Sequence, residues 1–160
     1  MKLDETDLKI LGILQRDAKI TNAKLASKVG ISPPAMLERV KRLESSGVIS
    51  KFVVLVDRKR VGVGVIAFVN VSLAVHQLSS RDVFISKINE LDEVLECYQT
   101  SGDSDFILKV ALESLDHYSA FVVDRLTGIE GIQNIKSTFV LDTVKYNTAL
   151  PLFVRERDRK

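Results

Sequence analysis

Apolar positions recur at helical spacing through the first fifty residues and then give way to β-branched runs. Leu8, Leu11 and Leu14, widened by Ile10, share one face of a helix that Asp4 can cap. This helix ends near Asp17, and Asp7 puts negative charge in its first turn. Thr21 can cap a second, short helix with Ala23, Leu25, Ala26 and Val29 on its buried side, and Gly30 suits the left-handed residue after it. Ser32 caps a third helix with Pro33 at its first position, Met36, Leu37, Val40 and Leu43 as its apolar stripe, and Gly47 as its stop. Only Gly30 and Ile31 separate the second helix from the new cap, so the two must cross steeply, as in a helix-turn-helix. The third helix then turns Glu38, Arg39, Lys41 and Arg42 outward, on an element whose width fits the major groove.

Beyond Val48 the pattern turns to strands. Residues 51–61 read as a β-rich linker closed by the charged turn Asp57-Arg58-Lys59-Arg60. A strand over 61–75, a helix over 78–91, strands over 94–100 and 105–112, a helix over 115–126 and a strand over 132–144 follow. This β-α-β-β-α-β order predicts an α+β chain whose second part is a ferredoxin-like antiparallel sheet with both helices on one face. The expected division is a helix-turn-helix domain over 1–50, the linker, a ferredoxin-like domain over 62–150 and a charged tail over 151–160. Both alternating sets of the first strand are apolar: Val65, Ala67, Val69 and Val71, and Ile66 and Phe68, with Asn70 as the one polar interruption. Two helices cover one sheet face, so the other is expected to meet a second copy, with Val69 on the partner-facing set.

Charge sharpens the division. Residues 1–60 hold 13 Lys and Arg against 7 Asp and Glu, whereas the rest hold 10 against 14, within a net charge of +2 for 160 residues. A basic head on an acidic body points to a polyanionic partner for the head, here double-stranded DNA. No apolar run is long enough for a membrane span and MKLDETDLK lacks a signal-peptide core, so a cytoplasmic protein is expected. Cys97 reads as a small packed hydrophobe, and His76 and His117 as surface or helix-cap residues; together they give no metal-ligand spacing. Asp103 and Asp105 have no phosphate loop or second cluster beside them, so neither enzyme activity, a metal nor a cofactor is expected.

Four stretches, LDETDLKILGILQRDAKITNAKLASKVGIS, LERVKRLESSGVISKF, CYQTSGDSDFILKV and VKYNTALPL, stand in the order and spacing of one family. Through them the chain resembles the leucine-responsive regulatory protein and asparagine-response regulator (Lrp/AsnC) transcription factors nearly end to end. The resemblance implies a winged-helix-like DNA-binding head, a ferredoxin-like effector domain, dimers that assemble to an octamer, and control by a small amino acid bound between dimers.

The resemblance places the effector at the turn between the second and third strands, Thr100, Ser101, Gly102, Asp103, Ser104 and Asp105, flanked by Gln99. Gly102 allows close backbone approach, exposed N–H groups suit an α-carboxylate, and Asp103 or Asp105 suits an α-ammonium. Ser137 and Thr138 are expected on the opposite wall. Ser104 stands where relatives often carry a larger residue, which bears on ligand size. At the head, Ser32, Pro33, Pro34 and Ala35 open the recognition helix with few polar groups, so base readout is expected from Ser32, Met36 and Arg39, with DNA shape contributing. An architectural DNA-wrapping protein without an effector stays open as the alternative, as does a ligand-binding module that controls an enzyme, which the basic head disfavours.

Overall fold

A computed structural model describes residues 2–74 and 78–153, so the expectations for His76 and for the end of the charged tail lie outside the described residues. The chain forms two units, one running through Leu55 and resuming at Lys145, the other spanning Val56–Val144.

The first unit contains α1 (Glu5–Leu14), α2 (Asn22–Val29) and α3 (Pro33–Ser45). All three expected caps form: the Asp4, Thr21 and Ser32 side chains accept backbone N–H groups of Asp7, Lys24 and Ala35. Gly30 adopts φ +81°, which ends α2 and turns the chain into α3. Ile10, Leu11, Leu25, Ala26, Met36, Val40 and Leu43 make the core; Leu37 and Ala23, expected inside, are exposed. Residues from Lys145 onward pack with the first unit. There the Gln15 carboxamide donates to the Leu150 carbonyl at 3.3 Å and accepts the Leu150 N–H at 2.7 Å.

In the second unit, β1 (Val65–Leu73), α4 (Leu78–Asn89), β2 (Val94–Gln99), β3 (Phe106–Leu112), α5 (Leu115–Ala120) and β4 (Ile132–Phe139) give an antiparallel sheet in the order β2-β3-β1-β4. This is the expected split βαβ plan. After Ala120 the helix widens to a π-helical stretch over Phe121–Leu126, and β4 stops at Phe139, short of the expected 144. Phe84, Ile88, Phe106, Leu108, Val110, Tyr118, Phe121 and Leu126 pack with Ala67, Val69 and Val71 between helices and sheet.

Val69 is fully buried in the helix-covered core, so it is not partner-facing; the open face of β1 carries Ile66, half-exposed, and Phe68, 41% exposed, with Asn70. The linker over 51–61 forms no strand, because no strand among the described residues lies beside it to supply ladder hydrogen bonds. Phe52, Val53, Val54, Leu55 and Val56 are exposed there. The turn after them forms as expected, with the Asp57 carboxylate accepting the Lys59 and Arg60 N–H groups.

Gly64 and Gly131 are demanded by packing. A Cβ at Gly64 would lie 2.3 Å from the Glu113 carbonyl oxygen, and one at Gly131, φ +92°, would lie 2.5 Å from Ser80 Cβ.

Candidate DNA-binding head and effector turn

In the head, α1 has Glu5 and Asp7 in its first turn, whereas α2 and α3 have no acidic residue in theirs. Asp7 is buried, its side chain 1% exposed, and its charge is satisfied from α3. Arg39 Nη1 donates to Asp7 Oδ1 at 2.8 Å and to Asp4 Oδ2 at 2.7 Å, and Arg42 Nη2 donates to both Asp7 oxygens at 2.8 Å. Asp7 Oδ2 also accepts the Asp4 N–H, which completes a capping box. The Arg39 guanidinium, then the Asp7 backbone N–H, hold the Asp4 carboxyl below its ordinary range, and Asp4 followed by Asp7 raises Arg39. Breaking a buried pair costs about 3–5 kcal/mol, whereas an exposed pair contributes about 0–1 kcal/mol. The arginines therefore tie α3 to α1, and Arg39 is not the free outward cation expected.

Of the other expected DNA-binding residues, Ser32, Pro33, Pro34, Glu38 and Lys41 are exposed on α3 or at its start, and Arg42 is half-exposed. Met36 is fully buried, which removes it from base readout: its place on the core stripe excludes its place on the groove face. Asp7 was legible in the sequence as a first-turn acid. Its role as the anchor of both arginines was not, because it depends on how α1 and α3 pack.

In the second unit the β2–β3 turn is fastened to β1. The Thr100 N–H donates to the Asp105 carbonyl at 2.9 Å and the Thr100 hydroxyl to the Ser104 carbonyl at 2.7 Å. The Asp105 N–H reaches the Val71 carbonyl at 3.0 Å, and the Asp105 carboxylate accepts the Leu73 N–H at 2.7 Å. The Ser72 hydroxyl donates to the Asp103 carbonyl and the Ser104 hydroxyl to Asn70 Oδ1, both at 3.3 Å. Ser101, Gly102 and Asp103 at the tip are exposed, and Gly102 has φ +142° with open space where a Cβ would stand. Gln99 accepts from Arg81 at 3.0 Å.

The structure separates residues that the sequence grouped. Asp105 is occupied at the end of β1, which leaves Asp103 as the tip carboxylate with no partner among the described residues. Ser137 and Thr138 lie on opposite sheet faces. Ser137 pairs with the core residue Val69 and hydrogen-bonds Tyr118 beside a cleft of about 570 Å³ between α5, the π-helical stretch and β4. Thr138 pairs with Phe68 on the open face, the face that also carries Asn70 and Ser104. Asn70 was legible only as an interruption of an apolar strand; that it holds the turn emerges from the register.

Cys97, expected to be packed, is exposed on the edge strand β2, where no further strand among the described residues covers it, and partial burial still pushes its thiol up. His117 is exposed at the start of α5, its Nδ1 3.0 Å from the Ser114 hydroxyl, as a helix-cap histidine would be. Among the described residues no cluster of His, Cys, Asp and Glu could hold a metal ion, and no helix is long and apolar enough to cross a membrane.

Residues 3–50 match the winged helix-turn-helix DNA-binding domain, and residues 66–150 match the Lrp/AsnC ligand binding domain. The chain is similar to the transcriptional regulator AzlB of Bacillus subtilis, with 36% identity over 94% of this chain and 96% of that protein. It is similar to the leucine-responsive regulatory protein of Rhizobium meliloti, with 35% identity over 91% of this chain and 93% of that one. A crystal structure of a transcriptional regulator from Neisseria meningitidis in complex with L-methionine superposes with a TM-score of 0.90 at 35% identity, covering 94% of this chain and 97% of that one. Two of these relatives are named as transcriptional regulators and the third as a regulatory protein, none as an enzyme. A helix-turn-helix head and a ligand-binding sheet domain, matched in order along nearly the whole chain, place this protein in the Lrp/AsnC family of transcriptional regulators.

Proposed function

We propose that this regulator binds DNA through α2 and α3 and that a small amino acid, bound at the Thr100–Asp105 turn, modulates its DNA binding or assembly. The observation that carries the effector reading is the turn itself. Its tip offers Gly102 and the Asp103 carboxylate to solvent, while four hydrogen bonds, one of them to the Asp103 carbonyl, fix the turn to β1. Backbone N–H groups at such a tip suit an α-carboxylate and Asp103 suits an α-ammonium. The Neisseria relative in complex with L-methionine supports an amino acid as the ligand class.

Assembly follows from the sheet. The open face bearing Ile66 and Phe68 is covered by a second copy, and dimers then associate, up to an octamer, so that effector turns lie between them. Thr138 belongs to the face that a partner covers, and Ser137 to the helix side. The ligand acts only through its differential affinity for the assembled and unassembled states. A thermal-shift screen of the twenty amino acids tests the reading: a ligand at 100 times its dissociation constant adds about 2.7 kcal/mol of stability. One or a few amino acids are expected to raise the melting temperature; no shift with any of them at millimolar concentration favours the architectural alternative.

A further inference from the structure

The basic character of the recognition helix is largely internal. Helix α3 carries Arg39, Lys41 and Arg42 against Glu38 and Glu44, but Asp4 and Asp7 neutralise both arginines from α1. At 100° per residue, the direction opposite Met36, Val40 and Leu43 falls on Pro34, Glu38 and Ser45, with Lys41 and Arg42 about 50° to either side of it and Arg39 farther round toward the core. Arg42 is tied to Asp7, so Lys41 is the cation of this face with no ion pair among the described residues, and Glu38 offsets it.

Helix α2 shows the opposite balance. It holds Lys24 and Lys28 and no carboxylate. The two are four residues apart and therefore neighbours on one stripe, away from Leu25 and Ala26, and both are exposed. Neither forms an ion pair among the described residues.

We infer that Lys24 and Lys28 of α2, joined by Lys41, are the phosphate-gripping residues of the head, and that Arg39 and Arg42 are positioning residues, clamped by Asp7, that set the pose of α3. The inference rests on the DNA-binding reading and assigns its electrostatics. A cation already hydrogen-bonded to a buried carboxylate releases no counterion when DNA arrives, so it adds nothing to the salt dependence of binding. A lysine with free charge adds about one unit to the slope of log K against log salt for each phosphate it neutralises.

Binding of the full-length protein to an operator-length duplex, measured by fluorescence anisotropy across a salt series, separates the roles. For each bound head, Lys24→Gln/Lys28→Gln is expected to lower the slope by about two units at an unchanged melting temperature. Arg39→Gln is expected to lower the melting temperature while leaving the slope unchanged, when measured well below that temperature. A full slope in the lysine double variant, or a slope reduced by one unit in Arg39→Gln at an unchanged melting temperature, overturns the assignment. Absence of salt-dependent binding by the unmutated protein instead overturns the DNA-binding reading, and the assignment with it.

Discussion

The Asp105 carboxylate accepts the backbone N–H of Leu73 at 2.7 Å, so the effector turn and the end of β1 are one hydrogen-bonded unit. The two aspartates of the turn, alike in sequence, therefore have different work. Asp105→Ala is expected to lower stability by about 1 kcal/mol and to loosen the turn, because it removes the hydrogen bond that ties the turn to the strand end. Asp103→Ala is expected to leave stability unchanged within about 0.5 kcal/mol and to weaken amino-acid binding. Denaturant unfolding and titration calorimetry on both variants check this; equal stability losses would contradict it.

Gly102→Val is expected to abolish the response to amino acid through backbone strain. At φ +142° an L side chain is unfavourable by about 1–3 kcal/mol, and the turn shifts to relieve it, although no neighbouring atom obstructs the new Cβ. Calorimetry with the amino acid found in the thermal-shift screen measures the loss, and DNA binding without ligand should persist. Retained affinity in this variant would place the ligand elsewhere.

On β1, adjacent residues should give opposite phenotypes. Phe68→Asp puts charge on the open face and is expected to yield folded, soluble protein of smaller assembly size by light scattering. Val69→Asp buries that charge in the core and is expected to prevent folding. The face assignment fails if Val69→Asp folds and dissociates while Phe68→Asp leaves the assembly intact.

These two residues also mark how far the sequence could be read. Alternation made residues 61–75 a strand with two apolar faces, of which Val65–Leu73 forms, but period-two patterning cannot say which face meets the helices; packing of Phe84 and Phe121 settles it. The caps at Asp4, Thr21 and Ser32 and the left-handed Gly30 were legible because each depends on chemistry within a few residues. The neutralisation of Arg39 and Arg42 by Asp7 was not, since it joins residues more than thirty positions apart. Met36 was legible as core from its stripe, and that same stripe contradicted its use in base readout. The Thr100–Asp105 turn was legible as a hairpin, yet its fastening to Asn70, Ser72 and Leu73 follows only from the β1–β3 register.

The Asp4–Arg39 pair predicts an acid limb. The folded-state pKa of Asp4 lies below its ordinary value, so its contribution is fully present above about pH 4 and is lost as pH falls through the lowered value. Thermal melting between pH 7 and pH 3 should therefore show a shallower acid decline in Asp4→Asn than in the unmutated protein. Identical declines would mean that the pair adds nothing to folding.

The most direct test of the account is the affinity of the full-length protein for one operator-length duplex, measured with and without each amino acid at millimolar concentration. A coupling of about 1–3 kcal/mol predicts that one or a few amino acids change the dissociation constant by about 5- to 150-fold, and that Asp103→Ala erases the change while preserving ligand-free affinity. Tight DNA binding that no amino acid alters would contradict the account.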